Sequence, residues 1–493
     1  MLADPEGLRW VPQSICPLGD PALDWIVMSY QSPFSTRYAS DEMRALWSEE
    51  TKRLTWRRIW LAVAEAQAAA GLVTGEQIDE IRSMVDAVDV RRAAEIEAAT
   101  GHDLVAELRT FAEQCPAGGR ILHWGLTSAD VQDNADVTRQ RAGLTVLLVR
   151  LHDLLLAFAD QITATADFPV MGYTHLQPAE PTTLGYRLAV YAQDLMTHFD
   201  LLARLRLELR GKGVKGAVGT SAPFTEMLKD SPISPETLEA TAMQSLGLDP
   251  FPITGQTYPR VQDYLLLSGL SGLACSLHKF AFDLRLLQSP GFSTAREPFG
   301  EDQVGSSAMP FKQNPIKAEK ICSLARLVAA GVQVAWQNAA VNLLERTLDD
   351  SANRRSLIPE AFLACDEMLL TAIEIVRGLI VDRDSSAAWI KVYGPFAATE
   401  RILTALVQAG ADRQAMYERL RQHSLQAWEG LRQVGVNTLA DRVASDTTIL
   451  RYLQPSRVRE LMDVSTYLGL APARSQELAA QIRERFQVPP QGP

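Results

Sequence analysis

The chain has 493 residues, 47% hydrophobic and 22% charged, with a formal net charge of -11. That length is ample for a large core and sets a prior of about two to four domains. The acid excess excludes a general nucleic-acid binder, which would carry a basic face, so an anionic ligand would need a local cluster of cations.

The N-terminus, MLADPEGLRW, carries acids early and lacks an apolar run, so no signal peptide is expected. Residues 50–72, ETKRLTWRRIWLAVAEAQAAAGL, form an amphipathic helix pattern with Ile59, Val63 and Ala66 on one face and Gly71 as its stop. The most apolar run, LTVLLVRLHDLLLAFA, is interrupted by Arg150, His152 and Asp153, which argues against a membrane span. After the proline and two threonines at 181–183, Leu184, Leu188, Tyr191, Leu195, Leu202, Leu205 and Leu209 recur at helical steps until Gly211. Two similar long patterns start at Arg260 and Ile316. From about residue 382 the pattern returns to short amphipathic helices, ending in the loose tail QVPPQGP. Alternating strand-like runs are nearly absent. The expected fold is all-α in three parts: 1–127, 128–381 as a long central bundle, and 382–493. Five scattered cysteines without a C-x-x-C pair read as reduced thiols of a soluble cytoplasmic protein, and no histidine stands at metal-ligand spacing.

The chemistry concentrates in a few polar patches that interrupt the helical patterns. In VGSSAMPFKQNPIKAEK (304–320), Gly305, Ser306 and Ser307 give small residues whose N–H groups can converge on an anion. Pro310 and Pro315 forbid continuous helix, and Lys312 and Asn314 alternate so that both can face a carboxylate. A mobile solvated loop accounts for the same composition. His175, in GYTHLQPAEPTT (172–183), reads either as a proton donor paired with a carboxylate or as a buried histidine satisfied by backbone. His102–Asp103 is a pairing common on surfaces, and Thr127–Ser128 suits a helix N-cap as well as a ligand. Arg346, Ser351, Arg354 and Arg355 suit a phosphate, although Asp349 and Asp350 are equally able to pair with the arginines. Arg37 and Tyr38 fit a phosphate grip or an ordinary surface.

In combination, TSADVQDN (127–134), THLQPAEPTT (174–183) and GSSAMPFKQNP (305–315) resemble the three separated signature segments of the fumarase/aspartase superfamily. SPFSTRYAS (32–40), GQTYPR (255–260) and above all ERTLDDSANRR (345–355) resemble its adenylosuccinate lyase family. The resemblance runs from about Tyr30 to about Phe486, leaving residues 1–29 as an extension. It implies β-elimination of fumarate from an N-succinyl nucleotide without metal or organic cofactor. Ser306 would be the general base, His175 the general acid, His102 a residue that orients substrate, and Lys312 a stabiliser of the alkoxide. Thr127, Ser128, Gln256, Lys312 and Asn314 would hold the succinyl carboxylates, with Asp103 beside them. Arg37, Tyr38, Arg346, Ser351 and Arg355 would hold the 5'-phosphate. The resemblance also implies a homotetramer whose active sites draw on three subunits, with a loop closing over substrate. Gln313 stands where the family motif commonly has arginine, and Lys320 where some members do. A sister lyase acting on another N-succinyl or aspartate-derived substrate therefore stays open, as does a silent protein on the same scaffold.

Overall fold

The structure is a computed structural model and describes residues 30–487; the extension expected over 1–29, Cys16 within it, and the last six residues of the tail lie outside the described residues. The chain forms two compact units that meet in sequence between Tyr38 and Ala39. In the first, the Ser32 side chain caps the short helix α1 (Pro33–Thr36). The Phe34 ring there packs edge-on against Tyr38, and the Arg37 guanidinium lies 6.0 Å from the Tyr38 ring.

The second unit begins with α2 (Asp41–Leu46), α3 (Glu49–Ala69), α4 (Gly75–Met84), α5 (Val90–Thr100) and α6 (Asp103–Gln114). Each starts where a side chain satisfies a free N–H of the first turn: Ser40, Ser48, Thr74, Asp89 and His102. They enclose a core built on Trp56, Trp60, Ile81 and Phe111. Arg57 is fully buried in that core, with its Nε 2.6 Å from Glu107 and its guanidinium 4.4 Å from the Phe111 ring.

The central bundle comprises α7 (Ser128–Ala164), α8 (Leu184–Glu208), α11 (Val261–Gln288), α12 (Ile316–Ala340) and α13 (Asp349–Arg377). Two short helices, α9 (Ala222–Met227) and α10 (Pro235–Ser245), lie between α8 and α11 in sequence. At one end of the bundle α7, α11 and α13 all begin, joined by Arg260 bonded to both Asp133 and Asp350. At the other end α8 and α12 begin. There Gly185 N–H donates to Thr165 O, next to the end of α7, and Gln288 at the end of α11 donates to Gln313 O, ahead of α12. At 1.5 Å per residue, α11 alone separates the two ends by roughly 40 Å. Both α7 and α11 are long and apolar enough to cross a membrane by length and composition; 72% and 50% of their apolar windows are buried inside the protein.

The all-α expectation holds, with two small sheets added. Strands β1 (Pro169–Thr174) and β2 (Gln177–Thr183) form a hairpin where the sequence suggests only a proline-bounded turn. Pro178 and Pro181 fall in β2, and prolines are tolerated there because a two-stranded ribbon leaves open edges. Further along, β3 (Ala295–Arg296) pairs with β4 (Ile380–Val381). The last region holds α14 (Arg383–Gln408), α15 (Arg413–Val434), α16 (Leu439–Ala444), α17 (Pro455–Met462) and α18 (Ala471–Arg485) around its own core, which also takes in Met171 of β1. The α18 helix returns to the bundle, where His152 Nε2 lies 3.1 Å from Phe486 O.

Gly185 is the tightest joint between hairpin and bundle. A Cβ there would lie 2.7 Å from Ala166 Cα and from Ile162 O, both backbone atoms that cannot swing aside. Gly185→Ala should therefore destabilise the protein by about 1–3 kcal/mol, the usual cost of overpacking, read as a lowered urea midpoint.

Candidate active site

The polar patches sort to the two ends of the bundle. At the end where α7 begins, the chain buries a charge network with almost no exposed edge. Arg260 donates through Nη1 and Nη2 to Asp133 at 3.1 Å each and through Nε to Asp350 at 2.6 Å. Asp350 in turn accepts from Arg346 at 2.9 and 3.1 Å. One turn on, Arg354 donates to Asp263 at 2.8 Å and to the Tyr258 hydroxyl at 2.7 Å, and pairs with Asp136 at 3.2 Å. Burial alone would raise the Asp263 carboxyl, but Arg354 and Arg260 beside it hold it below the usual range. Burial likewise pushes the Tyr258 phenol far up, so it stays a neutral donor to Asp263.

On this floor sits a cavity of about 160 Å³ whose walls include Asp103, Arg346, Ser351 and Arg355. Arg355 is half-exposed and pairs with the buried Asp103 at 2.9 Å. His102, exposed, caps α6 by accepting from Val105 N–H and stands 3.7 Å from Asp103. Thr127 caps α7, its N–H donating to the buried Asp130 at 2.8 Å, and Ser128 is the first residue of that helix. The Gln256 N–H donates to Glu345 O at 3.0 Å, which fastens the 255–260 segment beside Arg346. Asp350 does pair with Arg346, as the sequence allowed, but Asp103 takes Arg355 and the paired arginines keep further N–H donors. Two patches that the sequence presents as irregular, 125–134 and 345–355, are mostly first turns of α7 and α13.

Several lining groups escaped the sequence reading. Trp47, Lys52, Trp56 and Arg139 also face the cavity. His123 accepts from Trp60 Nε1 at 3.1 Å in a left-handed backbone conformation (φ 67°), and burial pushes its imidazole down, with His102 near enough to add to that. Nothing in ILHWGLTS marks His123, because its neighbours come from α3 and α6. Arg37 and Tyr38 belong to the first unit.

At the far end of the bundle are the remaining expected residues. His175 and Leu176 are the two central residues of the β1–β2 turn, with φ of 53° and 57°. Both are in the left-handed region that suits glycine or asparagine in a two-residue hairpin. This places an exposed imidazole at the tip of a hairpin whose Tyr173 stacks edge-on against Phe292 at 4.8 Å. Beside it, residues 297–315 form a loop between β3 and α12. Ser306 Oγ accepts from the N–H groups of Ala308 at 3.3 Å and Met309 at 3.1 Å. Donors in that position favour the alkoxide over the alcohol. Lys312 is exposed. Asn314 turns its amide back onto Gly305 O at 2.7 Å rather than outward with Lys312.

The structure thus brings His102, Asp103, Thr127, Ser128, Gln256, Arg346, Ser351 and Arg355 to one end of the bundle, and His175, Ser306, Lys312 and Asn314 to the other. Among the described residues no group of three or more His, Cys, Asp or Glu is placed to hold a metal ion.

Residues 35–330 match the family described as lyase, and residues 395–478 match adenylosuccinate lyase C-terminus. The chain is 39% identical over 452 residues to adenylosuccinate lyase of Saccharomyces cerevisiae, covering 90% of this chain and 92% of that one. It is 31% identical over 452 residues to adenylosuccinate lyase of Archaeoglobus fulgidus, covering 92% and 98%. Two solved structures share the fold. A fumarate lyase from Mesorhizobium sp. BNC1 has a TM-score of 0.80 at 22% identity, over 92% of this chain and 99% of that one. The 3-carboxy-cis,cis-muconate lactonizing enzyme from Pseudomonas putida has a TM-score of 0.82 at 24% identity, with the same coverage.

The neighbouring arginines of α13 should separate cleanly by mutation. Arg354→Ala leaves Asp263 buried without its main partner and should cost about 3–5 kcal/mol, whereas Arg355→Ala, half-exposed, should cost about 1 kcal/mol or less. Equilibrium unfolding in urea reads both.

Proposed function

This chain belongs to the adenylosuccinate lyase family of the fumarase/aspartase superfamily, and we propose that its two polar clusters are halves of one site completed only between protomers. The enzyme is a C–N lyase that cleaves adenylosuccinate to AMP and fumarate. The observation that carries the composite reading is the length of the bundle. Ser306 and His175 stand at one end and Arg346, Ser351 and Arg355 at the other, roughly 40 Å apart along α11, which is several times the reach of one nucleotide. Antiparallel packing of a second and third bundle against the first sets opposite ends side by side. Apolar side chains left half-exposed on the bundle helices, Val261, Leu265 and Phe282 on α11 and Leu327 and Trp336 on α12, support that packing. We infer a homotetramer from it, soluble and cytoplasmic, with the exposed half of α11 covered by subunits rather than by lipid.

The elimination needs three things. A proton must leave a carbon beside a carboxylate, the resulting dianion must be held, and the departing nitrogen must be protonated. In our reading Ser306 Oγ takes the carbon-bound proton, with the Ala308 and Met309 N–H groups and Lys312 stabilising its alkoxide. Electron density passes into the neighbouring carboxylate, held from one protomer by Lys312 and by the Asn314 amide N–H that Gly305 O leaves free, and by Thr127, Ser128 and Gln256 from another. The C–N bond then breaks, and His175 delivers a proton to the adenine nitrogen. His102 and Asp103 orient the substrate, while Arg37, Tyr38, Arg346, Ser351 and Arg355 hold the 5'-phosphate. The 297–315 loop closes over the bound molecule and excludes water. The related succinyl-carboxamide ribotide presents the same succinyl and phosphate groups and fits the same site. Residues 1–127, 128–381 and 382–493 serve as three domains in this arrangement.

Fumarate release from adenylosuccinate tests the roles. Ser306→Ala and His175→Ala should each lower kcat about 10²–10⁴-fold with unfolding behaviour unchanged, and wild-type rates in both would refute the assignment. Arg355→Ala should raise KM more than it lowers kcat, because the ligand group it holds is the phosphate, remote from the bond that breaks. Ser306→Ala and Arg346→Ala chains, assayed at adenylosuccinate well below the wild-type KM, where each alone is slow, should turn over faster when unfolded together and refolded as a mixture than either does alone. If the mixture stays as slow as its components, the shared site is wrong.

A further inference from the structure

One buried acid has no part in the chemistry above. Glu297, the residue after β3, is 1% exposed and stands at the start of the 297–315 loop. Its Oε1 accepts the N–H of Lys317 at 3.1 Å and its Oε2 accepts the N–H of Ala318 at 2.9 Å. Those N–H groups belong to the first turn of α12, which in most helices is satisfied by a local capping side chain. Here the capping position is Pro315, which has no such side chain. The cap comes instead from the other side of the loop. Its negative charge also meets the positive end of the helix dipole. Burial pushes the Glu297 carboxyl up, and the two backbone donors and Lys317 oppose that.

The rest of the loop repeats the theme. Lys317 Nζ reaches back to Pro298 O at 2.9 Å and to Gln303 Oε1 at 3.3 Å. Further in, Asn314 is bonded to Gly305 O, and Gly305 lies so close to Lys312 O that any side chain at 305 would strike it. The loop is therefore closed twice, once at its base by Glu297 and Lys317 and once at its neck by Gly305 and Asn314. Ser306 and Lys312 flank the neck directly.

We propose that Glu297 is a positioning residue for the elimination: its carboxylate joins the outgoing and returning strands of the loop and so fixes where Ser306 and Lys312 stand. The proposal deepens the reading of the same site and rests on it for the catalytic consequence, though not for the closure of the loop itself. Gln at 297 keeps the volume but offers one acceptor oxygen where two are used, so one helix N–H loses its partner and the tie slackens without a cavity.

The test uses the full chain carrying Glu297→Gln, read by trypsin, kinetics and AMP binding. Trypsin cleavage after the exposed Lys312, followed as the 1–312 fragment by mass spectrometry, should run at least about fivefold faster than in wild type. The kcat for adenylosuccinate should fall about tenfold, while the Kd for AMP, which has no succinyl group for Lys312 to hold, stays within twofold, because the phosphate cluster lies at the far end of the bundle. A merely structural role would lower the urea midpoint and leave kcat per folded enzyme unchanged, which overturns the proposal. Cleavage at the wild-type rate overturns it as well. Should Glu297→Gln fail to fold, Lys317→Met removes the side-chain tie to Pro298 O and Gln303 together with the ion pair to Glu374 on α13, and trypsin cleavage and kcat should move in the same direction by less; no change in either refutes the proposal. Wild-type turnover in Ser306→Ala would defeat the site assignment alone, and the proteolysis result would still decide the clasp.

Discussion

An α-helix of 28 residues holds its ends roughly 40 Å apart whatever its side chains do. The candidate site residues of the second unit all stand at one end or the other of the bundle that such helices form. The bundle is thus both a scaffold and a separator. It gives each end rigid anchoring points at helix starts, where N–H groups are free and side-chain caps fix the approach of the chain. It also prevents the two sets of groups from meeting within one copy of the fold, and in the proposed assembly the half-exposed apolar faces of α11 and α12 would bring them together between copies.

The two ends are built by different physics. At the α7 start, rigidity comes from buried ion pairs: Asp133, Asp263 and Asp350 against Arg260 and Arg354, each charge met by at least one opposite charge and most by hydrogen bonds. Such a network adds little net stability compared with apolar packing, because desolvating each ion costs several kcal/mol. What it does supply is geometry. Asp350 holds Arg346 through both carboxylate oxygens and is itself held by Arg260, so this arginine of the cavity wall is oriented before any ligand arrives. At the other end the active groups sit on a hairpin tip and a loop, where strain and side-chain ties take the place of ion pairs. Two successive non-glycine residues with positive φ at His175 and Leu176 are tolerated because β1 and β2 are paired up to Thr174 and Gln177 and Met171 of β1 is packed into the core of the last helices.

Much of the architecture was legible in the sequence because it rests on periodicity. The long leucine patterns after Thr183, Arg260 and Ile316 correspond to α8, α11 and α12, and Ile316 begins its helix where the second proline of the loop ends. The hairpin was not legible. Its strands carry prolines and one buried face only in part, so no alternation stands out. Candidate site residues that lie inside a signature segment, such as Ser306 or Arg346, could be named from composition and resemblance. Residues that act through the fold could not: Arg260 closes GQTYPR, yet its partners Asp133 and Asp350 lie far along the chain in both directions, and Glu297 caps a helix that starts beyond a loop. Local sequence holds no record of a cap or an ion pair whose partner is distant.

The pairing of cations with aspartates also bears on how an acidic protein can bind a phosphate dianion selectively. A bare cluster of Arg346, Arg354 and Arg355 would attract any anion and would repel itself. With Asp350, Asp263 and Asp103 already in place, that repulsion is cancelled and the local field is modest. A guanidinium has five N–H donors, and a carboxylate occupies only one or two of them. The remaining donors of Arg346 and Arg355 are fixed in direction by the carboxylates behind them, so a phosphate bound there as proposed would gain short, charge-assisted hydrogen bonds without the arginines having to reorganise. Strength here derives from fixed direction more than from excess charge. A dianion whose oxygens match those directions is favoured over one that brings only charge, and the surplus of acid elsewhere on the surface is compatible with that choice.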